Sequence, residues 1–107
     1  MDIYNLMKMS LDATDLRSKV IANNIANINT ANYKRKYVTF EETLEGKLEN
    51  ARIEVKVDEN SIMREDGNNV ELESEKVNQA AATLQYNALV SLTNTKIAMI
   101  KSVISGR

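Results

Sequence analysis

The sequence predicts a mainly α protein. Long amino- and carboxy-terminal helices pair in coiled-coil fashion, flanking a small middle that is either β-containing or mobile. Three observations predict this. Each end carries an amphipathic stretch at helical spacing, and the middle carries one run of strict alternation. Only 5% of the residues are aromatic and none is Trp, so Ala, Ile, Leu, Val and Met must build the core. That material suits helix-on-helix packing better than a thick sheet core. A chain of 107 residues is expected to form one domain, 1–107. Its parts are an amino-terminal helix with an Asn-rich turn (1–32), the middle (33–69) and a carboxy-terminal helix (70–107).

The first element is expected from about Ile3 to Ile28. Leu6, Met9, Ala13, Leu16 and Val20 recur at alternating steps of three and four, the seam of a coiled coil. Asn23, Asn24, Asn27 and Asn29 are poor helix formers, so the helix should end between Asn27 and Asn32.

In the middle, Val38, Phe40 and Leu44 could form a short extended or helical piece. Ile53-Glu54-Val55-Lys56-Val57 alternates apolar and charged residues and reads as a half-buried strand. Ser61-Ile62-Met63-Arg64 is the candidate partner for it. A hairpin of these two runs is marginal alone.

Asp66-Gly67-Asn68-Asn69 is a turn. Asn68 is placed to cap the last helix, with Glu71 three residues on in capping-box position. Glu71, Glu73 and Glu75 suit the positive end of that helix. It should run to about Ile104, with Gly106 as its stop. Its apolar face is wide. Val77, Ala81, Leu84, Ala88 and Leu92 share one side, and Tyr86, Leu89, Val90, Ile97, Ile100 and Ile104 form an adjoining strip. Leu84 and Leu92 are the expected partners of Leu6, Met9, Leu16 and Val20 in the seam. One facing helix cannot cover both strips, and the surplus points to contacts with further subunits.

Chemistry has little material here. With no His and no Cys, the usual acid–base group, the commonest metal ligand and the thiol nucleophile are all missing. No phosphate loop, zinc spacing or EF-hand loop occurs, so no catalytic, cofactor or metal residues are expected. Asp58, Asn60, Asp66 and Asn68 read as turn residues, and Glu71, Glu73 and Glu75 as a solvated face. Lys34-Arg35-Lys36 between Tyr33 and Tyr37 could touch single-stranded nucleic acid. Three positive charges in a chain of net charge -1 make a solvated turn or a subunit contact the better reading. No cleavable secretory signal and no run of roughly 20 apolar residues is visible, so no membrane span is expected.

Two motifs carry a resemblance. Asn24-Ile25-Ala26-Asn27, then Thr30, Tyr33 and Lys34-Arg35, is similar to the amino-terminal signature of bacterial flagellar basal-body rod proteins, with Ala31-Asn32 where the family has Pro-Gly. Asn keeps some tolerance for a left-handed turn there. Asp66-Gly67-Asn68-Asn69-Val70-Glu71-Leu72-Glu73 resembles the run before the family's last helix, and Tyr86 the centre of that helix. The ending Ile100 to Gly106 resembles the proximal-rod type. The resemblance covers about two thirds of the chain.

It implies a non-catalytic, cofactor-free axial subunit, stacked helically in the proximal rod to carry motor torque to the hook. The implied partners are further copies, other rod proteins, a FliE-type basal-body protein and the flagellar type III export gate, with no nucleic acid. The implied location is the basal body, reached without a cleaved signal. Phe40-Glu41-Glu42-Thr43-Leu44 resembles the Phe-x-x-x-apolar motif read by that gate, and equally Phe40 could be a packing residue. The alternative is a cytoplasmic helical adaptor or coiled-coil regulator.

Overall fold

The computed structural model describes residues 3–41 and 51–106. Among the described residues four elements follow one another: α1 (Ile3–Ala26), β1 (Lys36–Thr39), β2 (Glu54–Val57) and α2 (Leu72–Ser105). At about 1.5 Å per residue, α2 is a rod of roughly 50 Å, and the described chain measures 64 × 26 × 14 Å.

The two helices run antiparallel. Asn24 reaches Glu75, Ser18 reaches Gln79, and Arg17 reaches Gln85. Continued to the start of α1, this register leaves the last turns of α2 beyond it. Val103 there is 82% exposed. Gly106 stops α2 at φ 73, where its N–H reaches the carbonyls of Ser102 and Val103. Glycine takes that left-handed conformation without a Cβ penalty.

On α1 the deepest row is Met7, Thr14 and Ile21, joined by Ala13 and Asn24. Leu6, Met9, Leu16 and Val20 are half-buried beside it. The helix divides its inner side between α2 and the hairpin, and Val20, Val38 and Ala82 line one cavity between the three.

On α2 the seam differs from the sequence expectation. The least exposed residues after the buried Glu75 and Ala82 are Gln79, Leu89, Val90, Thr93 and Lys96. Glu75, Gln79, Ala82, Tyr86, Leu89, Thr93 and Lys96 follow steps of four and three, a single coiled-coil row. Leu84 lies outside it at 72% exposed, and Leu92 and Val77 are exposed as well. The physical reason is angular. At 100° per residue, Val77, Leu84, Ala88 and Leu92 fall on nearly the opposite side from Gln79, Tyr86 and Thr93. The helix thus turns its mixed, largely polar row toward α1 and its apolar row outward.

β1 and β2 form a two-stranded antiparallel sheet, with Lys36 opposite Val57 and Val38 opposite Val55. The partner of the alternating run is therefore Lys36–Thr39 and not Ser61 to Arg64. Val38 and Phe40 are buried and supply the hairpin's apolar anchor, whereas no residue from Ser61 to Arg64 is. Leu44 lies outside the described residues.

Candidate functional site

The two sequence motifs meet where the inner ends of the helices come together. Asn24, Asn68 and Glu75 are fully buried there, and Asn69 nearly so. A buried polar group without partners costs free energy of roughly 1–3 kcal/mol, so the bonds of each residue need an account.

Asn24 behaves as a piece of strand. Its amide Nδ2 donates to the carbonyl of Lys36 at 2.8 Å, and its Oδ1 accepts the Lys36 N–H at 2.9 Å. The same amide reaches Glu75 Oε2 at 3.3 Å. The Tyr33 hydroxyl lies 3.0 Å from Asn24 Oδ1 and 2.9 Å from Asn23 Oδ1. Only a side chain with a donor and an acceptor in one plane can meet a peptide on both sides.

Asn68 closes the far end of α1. Its Nδ2 lies 2.9 Å from the carbonyl of Asn27, 3.2 Å from that of Ile28 and 2.8 Å from that of Thr30. These carbonyls belong to the turn that follows Ala26, so the amide ties that turn together rather than filling the last carbonyls of the helix. Its Oδ1 accepts the Val70 N–H at 2.7 Å. The capping-box expectation is corrected accordingly. The residue before α2 is Glu71, which makes no side-chain cap bond. Asn68 closes the turn after α1 instead of capping the start of α2, because the chain reversal brings it against the residues after Ala26.

Asn69 bridges the mouth of the hairpin. Its Oδ1 accepts the Arg35 N–H at 2.6 Å and its Nδ2 donates to the Asp58 carbonyl at 2.7 Å. Arg35 then joins everything. Its Nε meets Glu75 Oε1 at 2.7 Å, its Nη1 meets Asp58 Oδ2 at 3.0 Å, and its guanidinium sits 5.8 Å from the Tyr37 ring centre. Glu75 is therefore no solvated carboxylate, and Arg35 is no free cation. Lys34 likewise points inward, to the Gly67 and Asn32 carbonyls.

The electrostatics follow this wiring. Burial pushes the Arg35 guanidinium down, and its bonds to Glu75 and Asp58 outweigh that and hold it up. The Ser61 hydroxyl holds the Asp58 carboxyl well below the usual range, helped by Arg35 and the N–H groups of Asn60 and Ser61 against burial. Burial, then the charge of Glu75, pushes the Tyr33 hydroxyl up.

The turns themselves interlock. Asn32 takes φ 62, the left-handed conformation that Asn tolerates better than most residues, and its N–H donates to the Asp66 carbonyl at 2.7 Å. Gly67 sits opposite at φ 80, where an added Cβ would stand 2.5 Å from Asn32 Oδ1. Asp66 accepts the Asn68 N–H at 3.0 Å.

Of the motif residues, Asn24, Asn68 and Val70 are buried; Ile25, Asn27, Tyr33 and Gly67 are half-buried; Ala26, Thr30, Asp66, Leu72 and Tyr86 are exposed. Tyr86 lines a shallow cavity together with Thr14, Asp15 and Ser18 of α1, away from the junction. Phe40 is 3% exposed and Glu41 beside it pairs with Arg17 at 2.9 Å. Sequence reasoning missed Arg35, Asp58, Asn69 and Glu75. One signal was present: Glu75 stands in step with Gln79 and Ala82, on the inward row.

Among the described residues no group of three or more His, Cys, Asp or Glu side chains could hold a metal ion, and no helix is long and apolar enough to cross a membrane. The arrangement is mechanical: a polar junction clamps the ends while an apolar row faces out.

Comparison with known proteins bears directly on it. The family model described as flagella basal body rod protein matches residues 10–34, which span most of α1 and the Asn motif. The flagellar basal body rod protein FlgB of Bacillus subtilis (strain 168) is 34% identical over 97% of this chain and 93% of its own length. The protein of the same name from Borrelia hermsii is 35% identical over 87% of this chain and 86% of its own.

Proposed function

The chain belongs to the FlgB family of flagellar basal-body rod proteins, and on that premise we infer how its parts serve the rod. It is a structural subunit of the flagellar basal body. The junction around Asn24, Arg35, Asn68, Asn69 and Glu75 keeps the two ends in register. The outward row of α2, Val77, Leu84, Leu92, Met99 and Val103, is the surface on which neighbouring subunits pack. The single observation carrying this is the inversion of α2: its mixed row faces α1 and its larger apolar row faces out. An apolar row of that length is costly in water and is covered in an assembly.

The neighbours in this reading are further copies, other rod proteins and a FliE-type basal-body protein, stacked helically to pass torque to the hook. The role is structural and involves no catalysis. Export in this reading runs through the flagellar type III gate. Because Phe40 is buried in the fold, any reading of Phe40 and Leu44 by the gate precedes folding.

The test is a strain whose only copy carries Leu84→Asp and Leu92→Asp. Loss of hook–basal bodies with unchanged helicity of the purified protein supports the reading. Normal basal bodies refute it.

A further inference from the structure

The hairpin has two outer edges, and the fold treats them differently. The Asp58 N–H donates to the Arg35 carbonyl at 2.9 Å, and Asn69 bridges the reciprocal pair, so these two residues occupy a bonded position of the ladder. Bonded and unbonded pairs alternate in an antiparallel ladder. In the observed register Tyr37 and Lys56 are then a bonded pair, while Lys36 and Val57, and Val38 and Val55, are unbonded. The backbone groups of those four residues point away from the partner strand.

On β1 that outer edge is occupied. Asn24 takes both the N–H and the carbonyl of Lys36, and Arg17 donates to the Val38 carbonyl at 3.4 Å. On β2 it is open. Among the described residues no group meets the outward N–H and C=O of Val55 or Val57, whose side chains are 47% and 46% exposed. An open edge with apolar side chains is a template for another strand.

We propose that this edge pairs with the same edge of a second copy, antiparallel and centred on Val55. The charge pattern selects the occupant. Laid on itself about Val55, Ile53-Glu54-Val55-Lys56-Val57 sets each Glu54 opposite the Lys56 of the other copy and each Ile53 opposite Val57. The bonded positions in that register are 53, 55 and 57, the parity whose backbone faces out. The neighbouring registers of the same parity set Lys56 on Lys56 or Glu54 on Glu54. Opposite charges directly across a ladder stabilise and like charges destabilise, so one register survives.

Such a contact is two-fold and closes on itself, whereas a rod needs contacts that do not close. The pairing belongs to the free chain and leaves the outward row of α2 uncovered. Its strands are short, so the pair is weak and concentration-dependent.

Sedimentation velocity of the full chain over a concentration series tests it. Wild type should associate. Val55→Pro should lose association, because it removes an outward N–H while leaving the donors of the β1–β2 ladder in place. Lys56→Glu should lose association, and the double swap Glu54→Lys with Lys56→Glu should restore it. Should Val55→Pro disturb the hairpin, the charge pair alone decides. Amide exchange at Val55 and Val57 should slow as concentration rises. A wild-type chain that stays monomeric throughout overturns the proposal. So does association that survives both Val55→Pro and Lys56→Glu; that result points to the α2 row and leaves the rod reading standing.

Discussion

Asn24 in the last turns of α1 and Glu75 in the first turn of α2 share a hydrogen bond of 3.3 Å, with both side chains out of water. The two residues stand 51 positions apart, and the bond joins the inner ends of the two helices. Asn24→Ala removes it and also strips the Lys36 N–H and carbonyl of their partner. The expected loss is about 2 kcal/mol or more, read as a lower urea midpoint. A loss within a few tenths would mean that water replaces the amide.

Glu75→Ala should also destabilise, by roughly 2–4 kcal/mol, since it leaves Arg35 with Asp58 alone in a largely buried setting. The paired change Arg35→Met with Glu75→Leu should sit closer to wild type than either single variant, because it removes both charges together. Additive losses in that cycle would show that the two residues do not act as a pair.

The two positive-φ glycines make a contrast. Gly67→Ala meets Asn32 Oδ1 at 2.5 Å as well as the backbone penalty, whereas Gly106→Ala meets nothing within 4 Å. Gly106→Ala should cost about 1 kcal/mol and Gly67→Ala clearly more. Asn32→Gly relieves a left-handed non-glycine residue and should be neutral or mildly stabilising. Thermal melts of the three variants check the order.

Stability should fall in acid, and the sign follows from Asp58. Its carboxyl is held below the ordinary value by Ser61 and Arg35, so the unfolded chain binds the proton first as pH drops. The contribution is fully present above the unfolded value of about 4 and is lost progressively below it. Asp58→Asn should lower the thermal midpoint at pH 7 and flatten its decline between pH 4 and pH 2. An equally steep decline in the variant would assign the effect to other carboxylates.

Both helices were legible because a 3.6-residue period is local and repeats over many turns. So was β2, whose alternation is local too. Its partner was not, since Val38 and Phe40 read equally as a short extended or a helical piece until the pairing with Val55 is seen. The junction was hidden for a different reason. Asn24, Asn68 and Asn69 act by bonding to backbone groups 11 to 41 residues away, and such bonds leave no local pattern. Resemblance singled out Asn24 without giving it a physical role, and the capping pattern gave Asn68 to the wrong helix. The α2 seam misled because apolar residues are assumed to face inward, and an assembly subunit reserves some of them for its neighbours.

The most direct measurement is the yield of hook–basal bodies from cells whose sole copy carries Leu84→Asp. Leu84 is exposed in the free chain, so the purified variant should keep the wild-type melting midpoint within the small range of surface changes, about 0.5 kcal/mol. A charge on the outward row must be desolvated when a neighbour packs there. The expected result is a folded protein and no basal bodies. A normal yield would contradict the claim that this row is the packing face of the rod subunit.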